Sequence, residues 1–497
     1  MARASMQAGS AIQTIAIVGG GYSGAMLSVE LLRRAAGQVS ILLIERNPVP
    51  GLGAAYGTTF EGHLLNVRAE NMSAYADRPD DFVNWARQNY SSSVTADDFL
   101  PRKVYGQYIV AQLREEVRFS GDQFRHVNDE AVSLNQVNGM VQVGLASGKF
   151  AIADRVVLAF GHFPPADLRL PGKKADSAYF IANPWSRFVL NGIGQTESVL
   201  LIGTGLTSVD VMMELRARGV AGTIHMLSRR ALLPQRHAPI KIVPCEEGDF
   251  SRAARGLLRT IRQRVSASVA QGGDWREVVD SLRPVTQKIW RGLPLVEQKR
   301  VLRHLRTYWD VHRHRIAERV ADDLSEQIRE GTIQVHAGRI TDYREVEGGV
   351  EIAYRERSSG EVKTFRVNRV INCTGPDGDF RRVSSPFLAD IMAKGLARPD
   401  EHSMGLDVTD DGAVIDARGV ASDRVYALGP LRKGKLWESI AVPELRMQNA
   451  ELADLLVKAS GKPAANHSRL LCATTSWRWR NIKGTLVHSS GPVCGST

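Results

Sequence analysis

Cysteine is scarce in this chain, and no two cysteines stand close together. The four, Cys245, Cys373, Cys472 and Cys494, include no C-x-x-C pair, which argues against a redox-active dithiol, a zinc ribbon or a secreted disulfide framework. No apolar run reaches the ~18–20 residues of a membrane span, and residues 1–13 lack the charged start and apolar core of a signal peptide. We therefore expect a cytoplasmic protein without a transmembrane segment.

The net charge of +11 is concentrated in two segments. Residues 252–319 hold 16 lysines and arginines against six acids, and residues 461–497 hold five against none. No familiar nucleic-acid recognition motif accompanies them, so we predict no nucleic-acid partner. Two interpretations stay open for Arg303, Arg306, Arg313 and Arg315: they contact an anionic substrate or surface, or they form a solvated helix face.

What the chain does contain is two glycine-rich turns, each preceded by a strand-like apolar run. The first is Gly19-Gly20-Gly21-Tyr22-Ser23-Gly24, and the second is Gly203-Thr204-Gly205-Leu206-Thr207-Ser208. In a βαβ unit of ~30 residues, such a turn brings the backbone close to a dinucleotide pyrophosphate at a helix N-terminus. We predict two dinucleotide sites, although Ser208 replaces the third glycine in the second turn.

The residues after the next strand-like run differ in charge between the two units. Glu45, followed by Arg46, ends the first unit, whereas Ser228, Arg229 and Arg230 end the second. A carboxylate accepts hydrogen bonds from a ribose diol, and a pair of guanidinium groups suits a 2′-phosphate. The chain is therefore predicted to hold two different nucleotides, FAD and NADPH.

The pattern around each turn recurs and frames a long insertion. Strand-like runs close on Gly161 in the first unit and on Gly375 in the second. Between them, residues 250–330 show helical periodicity. A further helix is expected over residues 438–456, and residues 461–497 are expected to be a mobile tail.

Several motifs together resemble bacterial FAD–NAD(P)-binding proteins. They are Gly51-Leu52-Gly53, Leu65-Asn66-Val67, Phe82-Val83-Asn84-Trp85, Trp309-Asp310-Val311-His312-Arg313-His314-Arg315, Leu436-Trp437-Glu438-Ser439 and Pro443-Glu444-Leu445-Arg446. The resemblance spans about residues 14–457 and implies an α/β fold with two Rossmann-like dinucleotide-binding domains, as in flavin-containing and N-hydroxylating monooxygenases. It implies a discontinuous FAD domain (12–190 and 366–460) and an NADPH domain (191–365) that carries the mostly helical insertion.

The motifs and the resemblance together give a set of candidate cofactor-binding residues, but no catalytic acid or base and no metal ligands. The candidates on the FAD side are Gly19, Gly21, Tyr22, Ser23, Gly24, Glu45, Arg46, Asn66, Arg102, Gly161, Gly429, Trp437 and Glu438. Those on the NADPH side are Gly203, Gly205, Leu206, Thr207, Ser228, Arg229, Arg230 and Gly375.

These residues predict an FAD-dependent, NADPH-using oxidoreductase with a small-molecule substrate. If oxygen accepts the electrons in a protected pocket, the outcome is hydroxylation of an amine-like nucleophile; otherwise the protein is an oxidase or a reductase. Two departures from related enzymes bear on this: Pro430 stands where an acid often follows the glycine, and residues 179–185 lack an F-x-G-x-x-x-H fingerprint. The alternative is a flavin-binding redox sensor or scaffold whose basic insertion docks on an anionic partner.

Overall fold

The computed structural model describes residues 12–35, 37–240, 245 and 250–460, so the predicted tail at 461–497 lies outside the described residues. The strands are β1 (Gln13–Val18), β2 (Val39–Ile44), β3 (Phe124–Val127), β4 (Ala131–Val137), β5 (Met140–Leu145), β6 (Phe150–Ala153), β7 (Arg155–Leu158), β8 (Phe180–Ile181), β9 (Val199–Ile202), β10 (Ile224–Ser228), β11 (Ile333–Val346), β12 (Gly349–Glu356), β13 (Val362–Val367), β14 (Arg369–Asn372), β15 (Ala413–Ile415) and β16 (Ala421–Ala427). The helices are α1 (Tyr22–Ala35), α2 (Gly53–Tyr56), α3 (Asp81–Asn89), α4 (Arg102–Phe119), α5 (Leu206–Ala217), α6 (Ala254–Ala270), α7 (Trp275–Ser281), α8 (Thr286–Gly292), α9 (Leu295–His304), α10 (Arg306–Arg313), α11 (Glu318–Arg329), α12 (Pro386–Ala393), α13 (Lys433–Leu436) and α14 (Val442–Ser460).

The first sheet is built from both ends of the described chain. Its strand order is β15-β16-β7-β1-β2-β3, and every neighbouring pair is parallel except β15 with β16. In β1, Ile15 and Ile17 pack against α1, α4 and α14, whereas Ala16 and Val18 pack with the antiparallel sheet β4-β5-β6 and with α12. Because alternate side chains of a strand face opposite sides, both faces of this sheet are covered, as is usual for parallel sheets.

The second sheet repeats this construction around the second glycine turn. Its order is β13-β12-β11-β10-β9-β14-β8, with β11, β10, β9, β14 and β8 parallel and the β11-β12-β13 meander antiparallel. Val199 and Leu201 of β9 pack with α5 and α11, and Leu200 and Ile202 pack with residues of the meander. The continuous apolar run of β9 is therefore that of a strand buried on both faces.

These two sheets confirm the predicted α/β class with two Rossmann-like units and a helical insertion. The described residues belong to one compact unit that ends at Gly461, so the division into domains at 12–190, 191–365 and 366–460 stays a prediction. The second sheet extends past the predicted range at both ends, because β8 and β14 lie outside 191–365. Among the described helices, none is long and apolar enough to cross a membrane.

The insertion at 250–330 consists of the helices α6 to α11. Some of its arginines are exposed to solvent and others are buried. Arg303 and Arg306 are exposed, in line with a solvated face. Arg315 exposes only 3% of its surface, and its Nη2 donates to Asp280 Oδ1 at 2.6 Å. Arg313 is also buried. The solvated-face interpretation therefore does not describe Arg313 and Arg315, which lie inside the insertion.

We expect the buried Arg315–Asp280 pair to stabilise the insertion strongly. Asp280→Ala should lower the free energy of unfolding by about 3–5 kcal/mol, because it leaves a buried guanidinium without its acid. The matched control is Glu326→Ala, which removes an exposed pair with Arg329 and should cost at most about 1 kcal/mol. Chemical denaturation of the two variants checks the difference, and equal losses would contradict it.

Candidate active site

Of the four glycines in the first turn, Gly19 and Gly24 are required by the fold itself, Gly20 lies close to the Glu45 side chain, and Gly21 is not required. Gly19 has a φ of +101°, and a Cβ there would lie 2.5 Å from Phe160 Cα. A Cβ on Gly24 would lie 1.9 Å from the Gly19 carbonyl oxygen. At Gly21, by contrast, the nearest atom to a Cβ is Gly53 Cα at 3.5 Å, an ordinary contact. Among the described residues, nothing therefore requires a glycine at Gly21.

The second turn shows the same division. Gly203 has a φ of +127°, and its Cβ would lie 2.4 Å from the Cys373 carbonyl oxygen, whereas a Cβ on Gly205 would meet nothing within 4 Å. The helices α1 and α5 begin directly after these open positions, and the first N–H groups of a helix lack partners within it. Both turns therefore fit the pyrophosphate of a dinucleotide, which would lie over Gly21 and Gly205.

Glu45 is held beside the first turn with one acceptor position to spare. Its Oε2 accepts from the Gly20 N–H at 2.7 Å, and its Oε1 accepts from the Asn47 N–H and amide group at 2.8 and 2.7 Å. A carboxylate has about four acceptor positions, so one remains for a ribose hydroxyl. Arg46 is exposed, and its guanidinium pairs with Glu130 at 3.3 Å. It makes no hydrogen bond to the glycine turn among the described residues.

The other predicted residues of the first turn divide between core and cleft. Tyr22 is buried and stacks on Tyr105, with ring centroids 6.2 Å apart. Its side chain therefore belongs to the core, and only its backbone could contact a dinucleotide. Ser23 meets the end of β16, since a Cβ on Gly429 would lie 3.0 Å from Ser23 Oγ. Gly161, after β7, has a φ of +72° and open space around it.

On the NADPH side, Arg229 and Arg230 differ in their partners. Arg230 Nη1 donates to Thr307 Oγ1 at 3.2 Å, and its guanidinium lies 5.5 Å from the centroid of the Tyr308 ring. Arg229 is exposed and has no hydrogen bond or ion pair with any described residue. Arg229 is therefore the arginine available to a 2′-phosphate.

The remaining predicted residues on that side lie at the same edge of the second sheet. Ser228 Oγ lies 3.0 Å from Thr204 Oγ1 and accepts from the Ala231 N–H, which ties β10 to the turn. Leu206 and Thr207 form the start of α5. Gly375, after β14, has a φ of +83° and open surroundings.

Asn66 and Arg102 lie between the two units rather than visibly at either turn. Arg102 Nη1 is 2.8 Å from Asp210 Oδ2 of α5, and its Nε donates to the Leu64 carbonyl oxygen. The Asn66 carbonyl oxygen accepts from His237 at 3.0 Å. Both residues line a cavity of about 20 Å³. The structure thus gives Arg102 a role in joining the units, and its contact with flavin stays a prediction.

The segment around Trp437 differs from the predicted helix over residues 438–456. Helix α14 begins at Val442 instead. Trp437 has φ 61° and ψ −69°, and the Glu438 N–H donates to the Leu436 carbonyl oxygen at 2.7 Å, which together form a strained γ-turn. The continuous helix is wrong here because this turn interrupts the chain, and Pro443 at the second helical position marks the true start.

The γ-turn places the Glu438 side chain in contact with the insertion. Glu438 exposes only 5% of its surface, and its Oε1 accepts from Trp309 Nε1 at 2.8 Å. Arg313 Nε lies 4.0 Å from its Oε2. Burial alone raises the pKa of the Glu438 carboxyl, but the charges of Arg313 and His314 and the Trp309 hydrogen bond outweigh it, so the pKa lies below its usual value. The carboxylate is therefore ionised and faces the most specific motif of the sequence, residues 309–315.

Two side chains at this edge were not among the predicted site residues. His162 follows Gly161 and is accessible, yet burial, together with the charge of Lys433, lowers its pKa to about 4. Lys433, at the start of α13, has a pKa lowered by burial and by Arg306. The one available sequence signal was the position of His162 beside a strand-closing glycine.

Comparison with known proteins agrees with this geometry. Residues 16–163 match the family model described as FAD-NAD(P)-binding. This part of the chain is similar to FAD-NAD(P)-binding domains. The uncharacterized protein Rv3403c of Mycobacterium tuberculosis is 23% identical over 533 residues, which cover 91% of this chain and 96% of that protein.

Two solved structures are similar to nearly the whole chain. L-lysine 6-monooxygenase from Pseudomonas syringae superposes with a TM-score of 0.64 at 15% identity, over 91% of this chain and 100% of that one. The FAD-bound cadaverine monooxygenase DfoA from Erwinia amylovora superposes with a TM-score of 0.60 at 16% identity, over 95% and 100%. At these identities the likeness shows the fold, which agrees with the predicted two-dinucleotide flavoprotein architecture.

The open positions at Gly21 and Gly205 give a reciprocal prediction. Gly21→Val should fold normally but retain at least about tenfold less FAD, because moving the backbone off the pyrophosphate loses hydrogen bonds to a charged group worth about 1.5–3 kcal/mol. Gly205→Val should keep its FAD and instead lose tight NADPH binding. Flavin absorbance per polypeptide and NADPH titration check both. A yellow Gly21→Val protein would contradict the assignment of the first turn.

Proposed function

We propose that this protein is an FAD-dependent, NADPH-using oxidoreductase that hydroxylates a small amine with molecular oxygen. The observation that carries the proposal is the pair of glycine turns, each with an open second glycine. One is followed by the acid Glu45 and the other by the unpaired Arg229. Two nucleotides of different chemistry on one chain are what hydride transfer from NADPH to a flavin requires.

The insertion supports the proposal because one short helix contacts both nucleotide sites. In α10, Thr307 accepts from Arg230 of the second unit, and Trp309 donates to Glu438 of the first. Side chains two apart on a helix point to nearly opposite sides, so α10 lies between the edges of the two units and bridges them. Bound FAD would accept the hydride and pass electrons on. The role of α10 is to fix the position of one edge relative to the other.

The same region limits access of water. Trp290 of α8 stacks on Trp437 with centroids 4.9 Å apart, and its Nε1 donates to the Gly434 carbonyl oxygen at 2.9 Å. Both indoles are buried. A buried apolar surface beside the Glu438 turn would exclude water. Such exclusion favours substrate oxidation over side reactions with water.

The choice of a small amine rests on analogy with the lysine and cadaverine monooxygenases named above, which share the fold. We include an anionic group on that substrate, because residues 252–319 hold 16 lysines and arginines against six acids. A cytoplasmic location belongs to the proposal as well and rests on the cysteine pattern.

Anaerobic mixing of the FAD-loaded protein with NADPH, followed by oxygen, tests the reaction type. Rapid bleaching of the flavin absorbance is expected, and oxygen should then restore it. With a suitable amine present, hydroxylated product should form at the expense of hydrogen peroxide. Bound FAD that NADPH does not reduce would overturn the proposal and favour a redox sensor or scaffold.

Arg229 should set the preference for NADPH over NADH. Hydrogen bonds to a charged 2′-phosphate are worth about 1.5–3 kcal/mol, which corresponds to roughly 10- to 100-fold discrimination. Arg229→Ala should therefore lose most of the preference. Arg230→Ala, the matched control, should lose less of this preference, because Arg230 already donates a hydrogen bond to Thr307. Flavin reduction rates with both nucleotides check this, and a parent protein that uses NADH equally well would contradict it.

A further inference from the structure

One face of α6 presents a row of arginines without partners. Arg255, Arg259 and Arg262 are spaced by four and three residues, so they lie on the same side of the helix, and all three are exposed. None of them has a hydrogen bond or an ion pair with another described residue, in contrast with the exposed Arg300, which pairs with Glu297. We refer to these three residues as the arginine row.

The sequence around the arginine row offers no acid to neutralise it. Residues 250–273 contain five arginines and no aspartate or glutamate. Glu297 of α9 and Glu277 of α7 do contact α6, but Glu297 accepts from the Ala254 N–H at the start of the helix and Glu277 accepts from Ser268 near its end. Within the part of the chain that the structure describes, no acid therefore pairs with the arginine row.

The opposite face of α6 fixes the direction in which the arginine row points. Leu257 is buried in one cluster with Trp290 and Trp437, and Ile261 packs against the same cluster. Leu257 and Ile261 are four residues apart and so share a side of the helix. Because that side is held by the rest of the insertion, the arginine row faces outward in the folded protein.

The arginine row surrounds an open hollow. The hollow has a volume of about 520 Å³ and is lined by Arg255, Leu258, Arg259, Arg262, Gln263 and Ser266. Phosphate groups suit such a lining, because a guanidinium group can donate two parallel hydrogen bonds to a phosphate. At 1.5 Å per residue the row is about 10 Å long. A row of this length matches a surface that bears several phosphate groups better than it matches a single small anion.

We propose that the arginine row docks this protein on the surface of an anionic phospholipid bilayer. This inference does not depend on the proposed reaction. Clusters of about four to eight basic residues on an amphipathic helix are typical of surfaces that bind anionic lipids, and residues 252–264 supply five arginines. Val269 exposes 54% of its surface and follows Ser266 by three residues on the same face, so it adds an apolar contact with the headgroup region.

An acidic protein fits this face less well than a bilayer does. Protein interfaces centre on buried aromatic and apolar anchors. Helix α6 contains no aromatic residue, and its leucine and isoleucine side chains Leu257 and Ile261 are already used in packing. The exposed face therefore offers mainly positive charge, which a bilayer of anionic headgroups complements without a specific anchor.

Co-sedimentation of the FAD-loaded full chain with lipid vesicles tests the inference. We expect binding to vesicles that contain phosphatidylserine and phosphatidylcholine, weakened by added salt, and no binding to phosphatidylcholine alone. The triple variant Arg255→Gln, Arg259→Gln, Arg262→Gln should bind about 100-fold more weakly, because each basic residue near an anionic bilayer contributes about fivefold. Its melting temperature should equal that of the parent protein, since the three arginines have no partner among the described residues.

The matched control removes the same charge from exposed arginines that do have partners. They are Arg329, Arg344 and Arg418, whose acids are Glu326, Glu351 and Asp416. Replacing these three arginines by glutamine should leave vesicle binding nearly unchanged. A second variant that replaces the arginine row by lysine keeps the charge and should retain most of the binding.

Three results would overturn the inference: no binding to phosphatidylserine vesicles, equal losses in the two glutamine variants, or release from the vesicles by inorganic phosphate at constant ionic strength. Equal losses would assign the binding to net charge alone, and release by phosphate would assign the hollow to a soluble phosphate compound. Binding of polyglutamate through the arginine row, without any binding to vesicles, would assign this face to an acidic protein.

Discussion

The buried carboxylate of Glu438 is the contact on which the arrangement of the site depends. It joins the segment after β16 to the insertion through Trp309, and its Oε2 lies 4.0 Å from Nε of the buried Arg313. A buried acid of this kind is tolerated only when opposite charge and hydrogen bonds offset its desolvation. The strained γ-turn at Trp437 is therefore retained because the packing of Trp290 and the bonds to Glu438 fix it.

Parallel pairing explains why residues far apart in sequence meet at this carboxylate. The glycine turn after β1, Gly161 after β7 and Gly429 after β16 all follow the carboxyl ends of adjacent parallel strands. These ends share one edge of the sheet, which is where open α/β folds bind ligands. The insertion contacts this region through Trp309 and Glu438, and it contacts the second unit through Thr307 and Arg230.

The sequence was sufficient for the features that local rules determine. The two turns and the acid and arginines after them depend on backbone sterics and strand length, which spacing reveals. The burial of Arg313 and Arg315 could not be read in this way, because it depends on Asp280 and Glu438, which approach only after the helices pack. The excess of basic over acidic residues in 252–319 is instead typical of a solvent-exposed helix face. The start of α14 was misjudged although Pro443 carried a usable signal.

The contrast between required and unrequired glycines separates architecture from ligand binding more sharply than a motif does. Gly19, Gly24 and Gly203 are explained by close backbone approach or positive φ within the chain itself, so a folded protein that binds nothing would still need them. Gly21 and Gly205 have no such explanation. Their common position, directly before a helix N-terminus in each unit, is what supports the proposal that a dinucleotide binds at each turn.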